Sequence, residues 1–208
     1  PTAAMATKVT TADFRPVVFP SGAFHLSLWL SWLQVIEGLR NNPLATAARM
    51  FSGDIERRTD KAAAALPLIE ADKVAVRHKV AFWRYWFDHA IGNDAFWTEL
   101  DHRHRLTEKT PPVHFISGWY DFMLDPLLDD YQKLVSLGHK PYLTIGTWFH
   151  VAEELQRDNL RETLTWMRTW LMGDSSDLRQ RPVRIHISGL DEWHEFDAYP
   201  PGQSHPSN

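Results

Sequence analysis

The stretch Val113-His114-Phe115-Ile116-Ser117-Gly118-Trp119-Tyr120-Asp121 decides the fold. Its first five residues read as a strand, and Gly118 opens a loop that ends on an acid. A second stretch has the same design: Pro141-Tyr142-Leu143-Thr144-Ile145 reads as a strand, and Gly146-Thr147-Trp148-Phe149-His150 closes it on a histidine. Between them the pattern predicts one helix over residues 126–137. Asp125 is a candidate cap, Pro126 suits the first helical position, and Gly138 can take the left-handed conformation that ends a helix. Leu127, Leu128, Tyr131, Leu134 and Val135 recur at helical spacing and predict a face against a sheet, with Asp129, Asp130, Gln132 and Lys133 toward water. The whole reads as a β-α-β unit of parallel neighbouring strands.

Residues just past the carboxyl ends of parallel strands line the crevice in which open α/β sheets do their chemistry, and Asp121 and His150 both hold that position. They are therefore predicted to lie side by side, as the acid and base of a triad do. Taken singly each has an ordinary role: an Asp after aromatic residues forms turns, and a His at a strand end makes structural hydrogen bonds.

Upstream, residues 23–107 read as helical. Phe24, Leu28, Leu30, Trp32, Val35, Ile36 and Leu39 form a broad apolar face that ends near Asn41-Asn42-Pro43, and Asp72 is a candidate cap for a helix running through Val80, Trp83, Trp86 and Phe87. Five of the 10 tryptophans fall in this stretch, and core packing is the expectation for most of them. Downstream, residues 153–172 predict an amphipathic helix with Leu155, Leu160, Leu164, Met167, Trp170 and Leu171 on its apolar side and Gly173 at its end. Residues 173–181 read as a linker, and the alternation Val183, Ile185, Ile187 as a strand.

The two loops resemble those of the cocaine esterase and X-prolyl dipeptidyl peptidase family of serine hydrolases. A Gly-Trp-Tyr-Asp-like segment there holds the triad acid, and a Gly-Pro-Trp-x-His-like segment some thirty residues later holds the base. Asp121 and His150 match these positions, while Thr147 stands where that family usually has proline. The likeness continues in order: Thr11-Ala12-Asp13-Phe14 with Gly22-Ala23-Phe24 at the passage into a helical cap, Asn93-Asp94-Ala95-Phe96-Trp97 at its end, and Pro182 to Gly189 with Trp193 and Tyr199-Pro200-Pro201 at the entry to a β-sandwich.

The resemblance implies a partial α/β-hydrolase fold with a helical cap and the first strands of a C-terminal β-sandwich (jelly-roll) domain. The expected division is 1–20 as the end of an upstream core segment, 21–110 as cap, 111–173 as the C-terminal part of the core, and 174–208 as linker and start of the sandwich. It further implies acyl-enzyme chemistry on an ester or amide, X-Pro peptides included, with Asp121 and His150 catalytic. Trp32 falls where a cap tryptophan lines the acyl pocket. Related α-amino acid ester hydrolases carry acids two and three positions after the triad Asp, where this chain has Met123 and Leu124. An apolar acyl or aryl group is therefore favoured, with Met123 against it and Phe122 a further candidate contact.

A serine nucleophile needs a tight elbow with small neighbours, and the sequence has no Gly-x-Ser-x-Gly; its serines stand in contexts such as Pro20-Ser21-Gly22, Phe51-Ser52-Gly53 and Ile116-Ser117-Gly118. The expectation is a fragment that supplies acid and base, is inactive alone, and completes its site with an N-terminal core of the same parent protein. The alternative is a non-catalytic binding or scaffold module. Net charge is −4 without a Lys/Arg stripe, so no nucleic acid is expected, and no apolar run reaches membrane length. Zero cysteines exclude thiolate chemistry and leave the compartment open, with the cytoplasm favoured. No Gly-rich phosphate loop supports a nucleotide cofactor. His102-Arg103-His104 reads as a surface turn rather than a metal site, and Asp125, Asp129 and Asp130 as a cap and a solvated face, so neither metal nor cofactor is expected.

Overall fold

The computed structural model describes residues 3–90 and 95–202. It divides into a helical unit, Phe14–Leu100, and a sheet unit made of the residues up to Asp13 and from Asp101 on. Along the chain the units change at 13/14 and 100/101. Within the sheet unit, Asp13 and Asp101 form an isolated antiparallel bridge, His102 donates its N–H to the Ala12 carbonyl at 2.8 Å, and the Arg103 guanidinium pairs with both acids. Asn93 and Asp94 of the expected cap-end motif lie outside the described residues.

The helical unit contains α1 (Arg15–Val18), α2 (Leu26–Asn41), α3 (Pro43–Ser52), α4 (Asp54–Ala63), α5 (Ala71–Val76), α6 (Ala81–Asp88) and α7 (Ala95–Leu100). The turn at Asn41-Asn42-Pro43 is the expected one: Asn42 accepts the Ala45 N–H on its side chain and Pro43 opens α3. The buried stripe of α2 is Trp29, Leu30, Leu33 and Gln34, whereas Ile36 and Leu39 are exposed. The apolar sequence of α2 offers two candidate faces, and packing against α4 and α5 selects one. Trp29, Trp83, Trp86 and Trp97 are buried as expected, with the Trp29 and Trp86 rings 4.5 Å apart edge to face. Asp72 does not cap one long helix. It is buried in α5, and its carboxylate accepts the Val80 N–H at 2.9 Å and two bonds from Arg84, tying α5 to α6 across a break at left-handed Arg77.

In the sheet unit β1 (Met5–Lys8), β2 (Val113–Gly118), β3 (Tyr142–Gly146), β4 (Val183–Ile187) and β5 (Glu192–Phe196) lie in the order β1-β2-β3-β4-β5. The first four are parallel and β5 returns antiparallel. Strand alternation sorts the core. Val113, Phe115, Leu143 and Ile145 meet Leu127, Tyr131 and Leu134 of α8 (Leu124–Ser136), while Ile116 meets Leu155 of α9 (Glu153–Met172) on the other face.

Helix α8 begins two residues earlier than expected. Asp125 sits inside its first turn, and Asp121 instead accepts the Met123 N–H ahead of it at 2.8 Å. Its end is the expected one: Gly138 has φ +84°, with Gly138 N–H bonded to Val135 O and His139 N–H to Leu134 O. Asp130, expected toward water, is buried and accepts the Ala12 N–H at 2.6 Å; burial raises its carboxyl above the usual range. Val135, in turn, is exposed.

Helix α9 has the expected bounds but a different inner face. Leu155, Glu162 and Trp166 are buried, and Leu160, Leu164, Trp170 and Leu171 are exposed. Glu162 is drawn inward because Arg179 and Arg184 each reach it at 2.7 Å, so an ionic cluster orients the helix. The described part of the stretch expected as linker and sandwich joins this same sheet. β4 pairs parallel with β3, and Val183 and Ile185 enter the α8-side core, because the edge of β3 and the apolar alternation of β4 satisfy each other there.

Candidate active site

The strands β2 and β3 end level, with Gly118 directly opposite Gly146. Beyond them the chains stay paired: Trp119 donates its N–H to Gly146 O at 2.8 Å and Tyr120 to Trp148 O at 3.2 Å. Both glycines are required by the close approach. A Cβ on Gly118 would lie 2.2 Å from the Trp148 carbonyl oxygen, and one on Gly146 would lie 2.3 Å from the Trp148 ring. Trp148 is buried there, packed with Ile116 and Leu155. Trp119 is held by its indole N–H on the His186 carbonyl at 2.8 Å, which ties the acid loop to β4.

This frame brings together the two residues predicted to meet. Asp121 turns back on Gly118 through its N–H, and its side chain is fully buried. Oδ1 accepts the Met123 N–H, and Oδ2 lies 2.9 Å from Nδ1 of His150. A carboxylate only accepts, so the shared proton sits on Nδ1. The imidazole is partly exposed, with its face on the Phe122 ring at 4.5 Å and 26°. Met123 is partly buried beside the acid, and Leu124 is buried at the start of α8. Trp32 lies in the helical unit, partly buried on α2. Tyr120 and Phe149, which the sequence reading did not single out, stack at 5.2 Å and are exposed.

None of the three serine contexts makes an elbow. Ser117 is wholly buried within β2, Ser21 lies in a turn between α1 and α2, and Ser52 closes α3. The sequence reading missed the part played by Trp148. Its signal was the repeated Gly-then-Trp pattern in both loops.

His102 and His104 have rings 6.4 Å apart, and His104 bonds the Asp101 carbonyl, while hydrogen bonds from Arg103 hold the Asp101 carboxyl down at about 2. No group of three or more candidate metal ligands converges among the described residues. No described helix is long and apolar enough to cross a membrane.

A mostly parallel sheet flanked by helices, with an acid and a histidine hydrogen-bonded past adjacent strand ends, is an architecture of the α/β-hydrolase type. The family model of the X-Pro dipeptidyl-peptidase (S15 family) matches residues 1–152, and the chain belongs to this family. Two solved structures share the fold. One is an aminopeptidase from the marine sediment archaeon Thaumarchaeota archaeon, with 17% identity and a TM-score of 0.54 over 68% of this chain and 26% of that one. The other is an alpha-amino acid ester hydrolase, with 19% identity and a TM-score of 0.50 over 63% of this chain and 25% of that one. The chain therefore spans about a quarter of the length of either protein. No curated protein sequence matches it.

Proposed function

We propose that this chain supplies the acid and the base of a serine hydrolase that cleaves ester or amide bonds, X-Pro peptide bonds among them, in small molecules or short peptides. The observation that carries the reading is the 2.9 Å contact of Asp121 Oδ2 with His150 Nδ1 at matched strand ends. Family membership and the two hydrolase neighbours support the same class.

In this reading the serine and its oxyanion donors come from other residues of a longer parent. As the serine Oγ bonds to the substrate carbonyl carbon, its proton passes to Nε2 of His150. Collapse of the tetrahedral adduct breaks the bond to the leaving group, which takes that proton. Water then repeats the sequence and frees the acid. Asp121 keeps the ring in the Nδ1–H tautomer and stabilises the imidazolium. Met123 contacts an apolar acyl or aryl group.

The test is His150→Ala in the full-length protein. Acylation of the serine by an aryl ester should be abolished, and near-normal acylation would contradict the reading. The 208-residue chain alone should not turn over such esters above a buffer-plus-histidine control. Stoichiometric acylation of any serine within it would overturn the division of roles.

A further inference from the structure

We propose that the helical unit carries a binding site for a small oxyanion that also bears a hydroxyl group, of which hydrogen phosphate is the simplest. The site is a cavity of about 300 Å³, at the lower bound of ordinary small-molecule sites, lined by residues of α2 to α5 and of the segment that follows α5. It shares no residue with the Asp121–His150 pair.

Three arginines, Arg49, Arg58 and Arg77, stand in the lining against one acid, Glu37, in a chain whose net charge is −4. Their charge is incompletely answered. Asp54 receives Arg58 Nε at 2.7 Å and Arg57 at 3.4 Å and lies 4.0 Å from Arg49, so one carboxylate serves three guanidiniums. Arg77 makes no ion pair among the described residues. Its backbone is fixed at the end of α5, with φ +70° and its N–H on the Lys73 carbonyl at 3.0 Å. Glu37 is already engaged by His78 Nε2 at 3.1 Å.

The lining also offers an acceptor. Gln34 is 8% exposed, and its Nε2 donates to the carbonyl oxygens of Leu30 and Ile55 at 3.2 Å. Carbonyl oxygens only accept, which fixes the orientation of the amide, and Oε1 accepts no hydrogen bond among the described residues. Guanidiniums match the oxygens of phosphate with parallel N–H donors. Gln34 Oε1 and the Glu37 carboxylate ask in addition for a donor on the ligand. At neutral pH hydrogen phosphate keeps a P–O–H, whereas sulfate has none and would leave the acceptors unpaired.

The experiment titrates inorganic phosphate, sulfate and glycerol phosphate into the 208-residue chain by calorimetry, at neutral pH and constant ionic strength. Arg77→Asn, Arg77→Lys and Arg157→Gln are compared, each checked for folding by its thermal melt. Asparagine tolerates the left-handed backbone at position 77, and Arg157, exposed on α9, controls for the loss of one charge. The parent chain should bind phosphate at least about tenfold more tightly than sulfate. Arg77→Asn should weaken phosphate binding by about tenfold or more, Arg77→Lys by less, and Arg157→Gln not at all. Tighter binding of glycerol phosphate would assign the cavity to phosphate esters, and tighter binding of inorganic phosphate to the free ion. Absence of phosphate binding by the folded parent, equal affinity for sulfate, or unchanged binding in a folded Arg77→Asn would overturn the proposal. The comparison of phosphate with sulfate uses the unaltered chain, so it decides even where a variant fails to fold.

Discussion

Asp121 divides its carboxylate between two tasks: Oδ2 binds the imidazole Nδ1 of His150, and Oδ1 binds the Met123 N–H of its own loop. The second bond fixes the direction of the first. Asp121→Asn can keep the loop bond through Oδ1 but then offers an N–H to His150, which selects the wrong tautomer. In the full-length enzyme this variant should fold normally and lose turnover by about 10⁴-fold, as triad acids do when tautomer control is lost. Unchanged turnover measured on a neutral aryl ester would remove Asp121 from the mechanism.

The glycine pair predicts a different phenotype, because its defect is steric. Gly118→Ala meets the backbone oxygen of Trp148 at 2.2 Å, whereas Gly146→Ala meets its ring at 2.3 Å. Each should destabilise the fold by about 1–3 kcal/mol in urea denaturation. A double-mutant cycle with Trp148→Ala separates them. Removing the ring should relieve Gly146→Ala and leave Gly118→Ala almost as costly, and equal relief of both would mean that the loops close differently.

The buried ionic cluster on the α9 side predicts a pH dependence. His114 is wholly buried against Trp166 and bonds Thr144 Oγ1 through Nε2, with Arg179 at 3.4 Å. Burial, reinforced by the Arg179 charge, keeps it well below the ordinary imidazole range. Glu162 lies 3.8 Å away but is already engaged by Arg179 and Arg184 at 2.7 Å, so it does not reverse the effect. Between the folded value and about 6.5, the unfolded chain binds a proton that the folded chain refuses. Stability is therefore fully present above about 6.5 and is lost as pH falls below it, with a slope approaching ~1.4 kcal/mol per pH unit for this one group. Urea titrations from pH 7.5 to 5 should show that slope, and His114→Gln should flatten it. An identical slope in the variant would assign the dependence to other groups.

The proposed acyl contact is Met123, which is partly buried beside the acid, and it predicts a substrate preference. Met123→Glu in the full-length enzyme brings a carboxylate to the acyl side, raising the cost of binding apolar acyl groups without touching Asp121 or His150. The ratio of kcat/KM for a neutral aryl ester over an α-amino ester should fall by at least about tenfold. Equal losses on both substrates would place Met123 away from the acyl group.

The parts of this protein legible in its sequence are those set by local chemistry. The strand periods around Phe115 and Leu143, the left-handed glycine closing α8, and the bounds of α9 all follow from spacing and capping along the chain. The expectation that Asp121 and His150 would meet needed one further rule, that neighbouring parallel strands end level, and the Gly118–Gly146 register meets it.

Where several faces or partners were compatible with the same pattern, only the tertiary structure decided. Helix α9 buries Glu162 and exposes Leu160 and Leu164 because Arg179 and Arg184, distant in sequence, reach the acid. Asp130 is buried because the Ala12 N–H needs an acceptor, and β4 enters the sheet because the edge of β3 lies open to it. Phe122 turns to His150 for the same kind of reason: a ring's destination depends on which surface lies across from it. Periodicity and capping are properties of adjacent residues and are written in the chain. Ion pairs, buried acceptors and ring stacks join residues far apart in sequence, and their geometry exists only once the chain has folded.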